Sequence, residues 1–138
     1  MTKVLVDTSA FVAMERRSER EHAAAHDALA ALVERGADLI ATSYVFAETY
    51  STLLNRDGRW LAIQWGASMR SGAGIYFVQA DKELEDAAWA ILESHDDKDW
   101  SYVDAVSFAL MEREGLSTAF AFGEHFRQRG LAVVPGDG

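Results

Sequence analysis

Lys3-Val4-Leu5-Val6-Asp7-Thr8-Ser9-Ala10 is the stretch that decides the fold. Lys3 to Asp7 reads as a short buried strand, apolar and rich in β-branched valine, that ends in an acid. Thr8-Ser9 then turns the chain into a short helix, predicted from Ser9 to about Glu15. The same handover from apolar strand to helix recurs along the chain. A longer helix is expected from about Glu19 to Arg35, with Ala24, Ala28, Leu29, Leu32 and Val33 at helical spacing and Gly36 as its stop. Asp38 to Ala41 is a second strand, and Thr42 or Ser43 caps a helix that carries Val45, Phe46, Tyr50, Leu53 and Leu54 as far as Asp57-Gly58. Trp60 to about Ser71 forms another helix, with Trp60, Ile63 and Ala67 near one face and Leu61 and Trp65 flanking it. Ile75 to Val78 is a third strand. Asp81 caps a helix running to about Ser94, with Glu83 and Glu85 in its dipole-favoured first turn. Ser101 to Glu114 is a strongly apolar helix closed by Gly115. A strand from Thr118 to Phe122, a short helix from Glu124 to Arg129 and an edge strand from Leu131 to Val134 complete the series. This alternation predicts an α/β domain over residues 1–134, with a central parallel sheet of about four to five strands flanked by helices. Residues 135–138 form a short tail.

Bulk properties narrow the class. The 138 residues make one domain with a sizeable core, and 49% apolar content excludes a disordered chain. No apolar run reaches the roughly 18 residues that span a bilayer. The absence of cysteine removes disulfides and thiolate metal sites. A cytoplasmic protein with no membrane association is the simplest expectation. The net charge of −9, from 22 acidic against 13 basic residues, opposes general nucleic-acid binding. Any such substrate needs local patches, of which Arg16-Arg17 with Arg20, and Arg56 with Arg59, are the candidates beside their blander reading as solvated helix ends.

Three carboxylates, Asp7, Glu48 and Asp104, stand near helix starts. If they converge at one end of the sheet they lack an internal counter-charge, and a divalent cation is the natural neutraliser. Each also has a local reading. Asp7 can cap the helix after it, and Asp104 completes a capping box with Ser101. Glu48 lies off the main apolar stripe of its helix and can be an inert surface acid. His22 and His26, spaced i, i+4, could share a metal, although no further ligand pair completes that site. His125 reads as a polar residue at a helix end, and Trp60 and Trp65 as core or interface anchors.

Four blocks in order carry a resemblance. They are Val4-Leu5-Val6-Asp7-Thr8-Ser9-Ala10, Thr42-Ser43-Tyr44-Val45-Phe46-Ala47-Glu48-Thr49, Asp99-Trp100-Ser101-Tyr102-Val103-Asp104-Ala105-Val106-Ser107 with the helix beyond it, and Ala119-Phe120-Ala121-Phe122-Gly123-Glu124-His125-Phe126 with Gly130. Together they resemble PIN-domain proteins, most of all the VapC-type toxins of bacterial toxin–antitoxin pairs. The resemblance implies Asp7, Glu48 and Asp104 as ligands of Mg²⁺ or Mn²⁺, with Ser101 and Thr8 or Ser9 as supporting groups. It implies metal-dependent cleavage of structured RNA of the tRNA or ribosomal RNA class, a homodimer through the helix pair from Ser43 to Ser71, and neutralisation by a cognate antitoxin. Ala121 and Gly123 stand where the family usually has threonine and aspartate. Three acids then suffice, Glu124 or Asp99 substitutes, or metal binding is weakened. A PIN ribonuclease without an antitoxin, and a catalytically weak PIN fold that binds protein, are the alternatives.

Overall fold

A computed structural model describes residues 2–136; residues 137 and 138 of the expected tail lie outside the described part. Among the described residues twelve elements follow one another: β1 (Lys3–Val6), α1 (Thr8–Glu15), α2 (His22–Glu34), β2 (Asp38–Thr42), α3 (Ser43–Asp57), α4 (Arg59–Arg70), β3 (Ile75–Val78), α5 (Lys82–Glu93), α6 (Tyr102–Glu114), β4 (Thr118–Phe120), α7 (His125–Gln128) and β5 (Ala132–Val134). The strands pair in parallel in the order β3-β2-β1-β4-β5. The order reverses between β1 and β4. A crevice opens at such a switch point, outside the carboxyl ends of the strands.

Alternation along each strand sorts side chains to the two faces. Leu5, Ile40 and Ala119 face α5 and α6, packing with Leu84, Phe108, Leu110 and Met111. Val4, Val6, Ala41 and Phe120 face the other layer, with Phe11, Leu32, Val45, Leu53 and Trp65. Helix α6 is buried continuously from Asp104 to Met111, which explains its apolar character all round. Gly115, in the left-handed region at φ 68°, ends it, and Leu116 N–H donates back to the Met111 carbonyl at 2.8 Å.

Several boundaries differ from expectation. Asp7 leaves the strand and becomes the N-cap of α1. The expected helix start at Glu19 is a turn, in which Glu19 N–H donates to the Arg16 carbonyl, and α2 begins only at His22. Phe122 lies beyond β4, and Leu131 precedes β5. In α4 the buried side is Ala62, Trp65 and Gly66, and on the face grouped in the sequence Trp60 and Ile63 are 74% and 36% exposed. Small residues decide this. A Cβ on Gly66 would already lie 3.5 Å from Phe46 Cζ, so α3 packs closely against that side. Val33 and Leu54, expected on apolar faces, are exposed as well.

Candidate functional site

A cavity of about 500 Å³ opens at the carboxyl ends of β1 and β4. Asp7, Glu48 and Asp104, separated by 41 and 56 residues in sequence, all line it. Asp7 arrives because β1 ends there. Its N–H donates to the Phe120 carbonyl at 3.0 Å, continuing the β1–β4 ladder, and its side chain caps α1 by accepting from Ser9 N–H at 3.1 Å. Ser9 Oγ donates to the same carboxylate oxygen at 2.6 Å and accepts from Phe122 N–H at 2.9 Å. The hydroxyl thereby ties the loop after β4 to the acid after β1. Thr8 also lines the cavity, and its Oγ1 is buried without a hydrogen-bond partner.

Asp104 forms the full capping box with Ser101. Its own N–H donates to Ser101 Oγ at 3.0 Å, while its Oδ2 accepts from Ser101 N–H at 3.1 Å. Local capping and cavity lining coexist in this one residue. Ser101 itself is not among the residues lining the cavity, so it acts on Asp104 from behind. His125 Nδ1, on α7, lies 2.6 Å from the same Oδ2. Sequence reading discounted this histidine, and only its place beside the fourth block hinted at a role.

Glu48 stands on α3 beside the buried row Val45, Thr49 and Leu53. The start of α3 is clamped to its neighbours. Tyr44 and Tyr102 hydroxyls both donate to Glu85 Oε1, at 2.6 and 2.9 Å. Burial, together with the Glu85 hydrogen bond, pushes the Tyr102 phenol up to about 12. This bridge links the first turns of α3 and α6, the helices on which Glu48 and Asp104 stand, through α5.

Electrostatics mark the cavity as anion-rich. Six carboxylates line it (Asp7, Glu19, Glu21, Glu48, Asp104 and Glu124), against Arg56 and His125. Burial raises the Asp7 carboxyl to about 6; hydrogen bonds from Ser9 oppose the rise, and the Asp104 charge adds to it. Among the described residues no three of His, Asp and Glu stand as a closed cation cluster. The donor set nevertheless suits Mg²⁺ or Mn²⁺. It is all oxygen, carboxylates with retained waters are what these hard cations take, and Asp7, Glu48 and Asp104 supply such carboxylates at one cavity.

The remaining candidates separate cleanly. Glu124 lines the cavity and Asp99 does not. Gly123 has φ 91°, a backbone conformation that an aspartate adopts only with strain. His22 and His26 form a structural pair: their rings reach the Ala13 and Met14 carbonyls at 2.8 and 3.0 Å, satisfying the C-terminal end of α1.

Comparison with known proteins agrees with this architecture. The PIN domain family model matches residues 4–131. VapC20 of Mycobacterium tuberculosis, a 23S rRNA-specific endonuclease, is 30% identical over 131 residues, covering 95% of this chain and 97% of VapC20. The crystal structure of that protein, a sarcin–ricin loop cleaving toxin, superposes with a TM-score of 0.84 at 29% identity, over 94% of this chain and 96% of the other. FitAcB from Neisseria gonorrhoeae shares the fold, with a TM-score of 0.68 at 14% identity over 94% and 95% of the two chains. The chain belongs to the PIN-domain family, in its VapC-type toxin branch.

Proposed function

We propose that this protein is a toxin endoribonuclease that cuts structured ribosomal RNA, with the sarcin–ricin loop of 23S rRNA as the substrate class to try first. The single observation that carries this reading is the meeting of Asp7, Glu48 and Asp104 at one cavity. The similarity to VapC20 supplies the RNA class. Asp7, Glu48 and Asp104 would hold Mg²⁺ or Mn²⁺. The chemistry such an ion supplies is a more acidic water and stabilisation of charge on the phosphate. Ser9 holds the Asp7 carboxylate in place, Ser101 and His125 hold that of Asp104, and Thr8 lines the cavity beside them. Cleavage is displacement at phosphorus: the attacking oxygen forms a P–O bond as the bond to the leaving oxygen breaks.

The partner in this reading is a cognate antitoxin, whose basic segment would match a cavity ringed by six carboxylates. We also take the chain to be a cytoplasmic homodimer, with residues 1–134 as the domain and 135–138 as tail. Among the described residues no helix is long and apolar enough to cross a membrane. The exposure of Trp60, Ile63 and Leu54 on the α3–α4 pair supports the dimer, and light scattering of wild type and Trp60→Glu tests it. A catalytically weak fold kept for protein binding is favoured only by Gly123 and by the lack of a closed cation cluster. Expression in bacteria followed by end-mapping of 23S rRNA decides between the two. A discrete cut that is absent with Asp7→Asn supports the toxin. Growth arrest without any cut, unchanged by Asp7→Asn, supports the binding module.

A further inference from the structure

Helix α3 carries Glu48, Thr52 and Arg56 at i, i+4 and i+8, and all three line the cavity. At 1.5 Å per residue the row spans about 12 Å, from a half-buried carboxylate to an exposed guanidinium. Arg56 is the one arginine or lysine among the described residues that line the cavity. Its side chain is 54% exposed, and its Nη1 meets Glu19 Oε1 at 3.1 Å. The same Glu19 oxygen accepts from Arg16 Nη1 at 2.6 Å, and Arg16 Nε donates to Asp57 Oδ2 at 2.7 Å. Arg16 is thus held on two sides. Arg56, with five N–H donors and one carboxylate partner, keeps a fork of donors for a ligand. The Asp57–Arg16–Glu19 chain braces this guanidinium, joining the turn after α1 to the end of α3.

A chain of net charge −9 can hold a polyanion only through local cations, and here the local cation shares a helix face with a cavity acid. We propose that Arg56 binds a backbone phosphate of the RNA next to the scissile one, so that the strand runs along the Glu48–Thr52–Arg56 row. The proposal rests on the ribonuclease reading above and adds the residue that sets the strand's path. Arg56 is a substrate-positioning residue; it does not touch the reacting phosphate.

The test compares wild type, Arg56→Gln, Arg56→Lys and Glu19→Gln. Binding of a labelled sarcin–ricin stem-loop and of unstructured oligouridylate is followed by anisotropy in EDTA from 50 to 200 mM KCl, beside cleavage kinetics in Mn²⁺. Loss of one phosphate contact in Arg56→Gln should weaken both RNAs about tenfold and flatten the slope of log K against log salt by about 0.7–0.9. It should raise KM more than it lowers kcat. Arg56→Lys should restore the slope but not the full affinity. Glu19→Gln breaks the same ion pair, so a purely structural Arg56 predicts equal weakening in both. The phosphate role predicts that Glu19→Gln binds RNA as well as wild type or better. Equal weakening, or an unchanged salt slope in Arg56→Gln, overturns the proposal. A wild type that binds RNA without cutting it sinks the ribonuclease reading and leaves Arg56 to be judged by the binding data. A wild type that binds neither RNA overturns both.

Discussion

His125 Nδ1 lies 2.6 Å from Asp104 Oδ2, so the short helix α7 is tied to the acid on the first turn of α6. The same oxygen accepts from Ser101 N–H, so both of these contacts fall on Oδ2 and Oδ1 is the freer atom. Groups that orient a metal-binding carboxylate are commonly worth 10–100-fold in metal affinity or activity. His125→Ala should therefore weaken Mn²⁺ binding and cleavage by about tenfold, whereas His125→Asn, which keeps a donor near Nδ1, should lose less. Calorimetry with Mn²⁺ alone, alongside cleavage rates, measures both.

Ser9 should matter as much to the fold as to the site. Ser9→Ala removes a hydroxyl that joins Asp7 to Phe122 N–H and leaves a part-buried donor unpaired. A cost of about 1–3 kcal/mol follows from such a loss. Because the Ser9 hydrogen bonds hold the Asp7 carboxyl down, the variant should move the acid limb of the pH–rate profile to higher pH. Urea unfolding and a pH–rate profile check the two effects separately.

The metal-free protein should be most stable on the acid side of neutrality as far as Asp7 is concerned. Its folded value of about 6 lies above the ordinary 3.8, so between these pH values the folded state binds more protons than the unfolded one. Stability from this group is present below about pH 4, falls as pH rises to about 6, and is flat above. Asp7→Asn keeps a capping side chain and removes the buried charge. It should raise metal-free stability at pH 8 by up to about 3 kcal/mol, with no gain near pH 4. Mg²⁺ should raise the Tm of wild type at pH 8 and leave that of Asp7→Asn unmoved. Scanning calorimetry at the two pH values reads all of this.

Gly123→Asp, which would place a carboxylate where the family usually has one, should lower Tm without raising activity. At φ 91° an L side chain costs about 1 kcal/mol or more. Glu124→Gln is the better probe of a fourth acid, because Glu124 already lines the cavity. A several-fold rise in the Mn²⁺ needed for half-maximal cleavage would give Glu124 that role.

The parallel sheet was legible because apolar runs such as Val4-Leu5-Val6 alternate with capped helices, and local chemistry reports on both. The capping box of Ser101 and Asp104 was legible for the same reason. What it could not say is that capping leaves the carboxylate facing a cavity as well. The pairing of His125 with Asp104 crosses 21 residues and depends on how the turn after β4 is tied to Ser9, which no local pattern records. The wheel of α4 grouped Trp60, Ile63 and Ala67 without saying which side of the helix turns inward. Close approach of α3 at Gly66 and the burial of Ala62 and Trp65 decide that, and Trp60 is left outward. The histidine pair on α2 looked like ligand spacing, while its partners are carbonyls that the sequence of α2 cannot show.

The most direct measurement is cleavage of a sarcin–ricin stem-loop by the purified, antitoxin-free chain in Mn²⁺ and in EDTA, beside Asp7→Asn, Glu48→Gln and Asp104→Asn. If the three acids form one site, wild type cuts only with the metal. Each variant then loses at least a hundredfold in rate while remaining folded by circular dichroism. A variant that stays folded and cuts at the wild-type rate, or a wild type that cuts equally well in EDTA, contradicts a single metal-dependent site built from Asp7, Glu48 and Asp104.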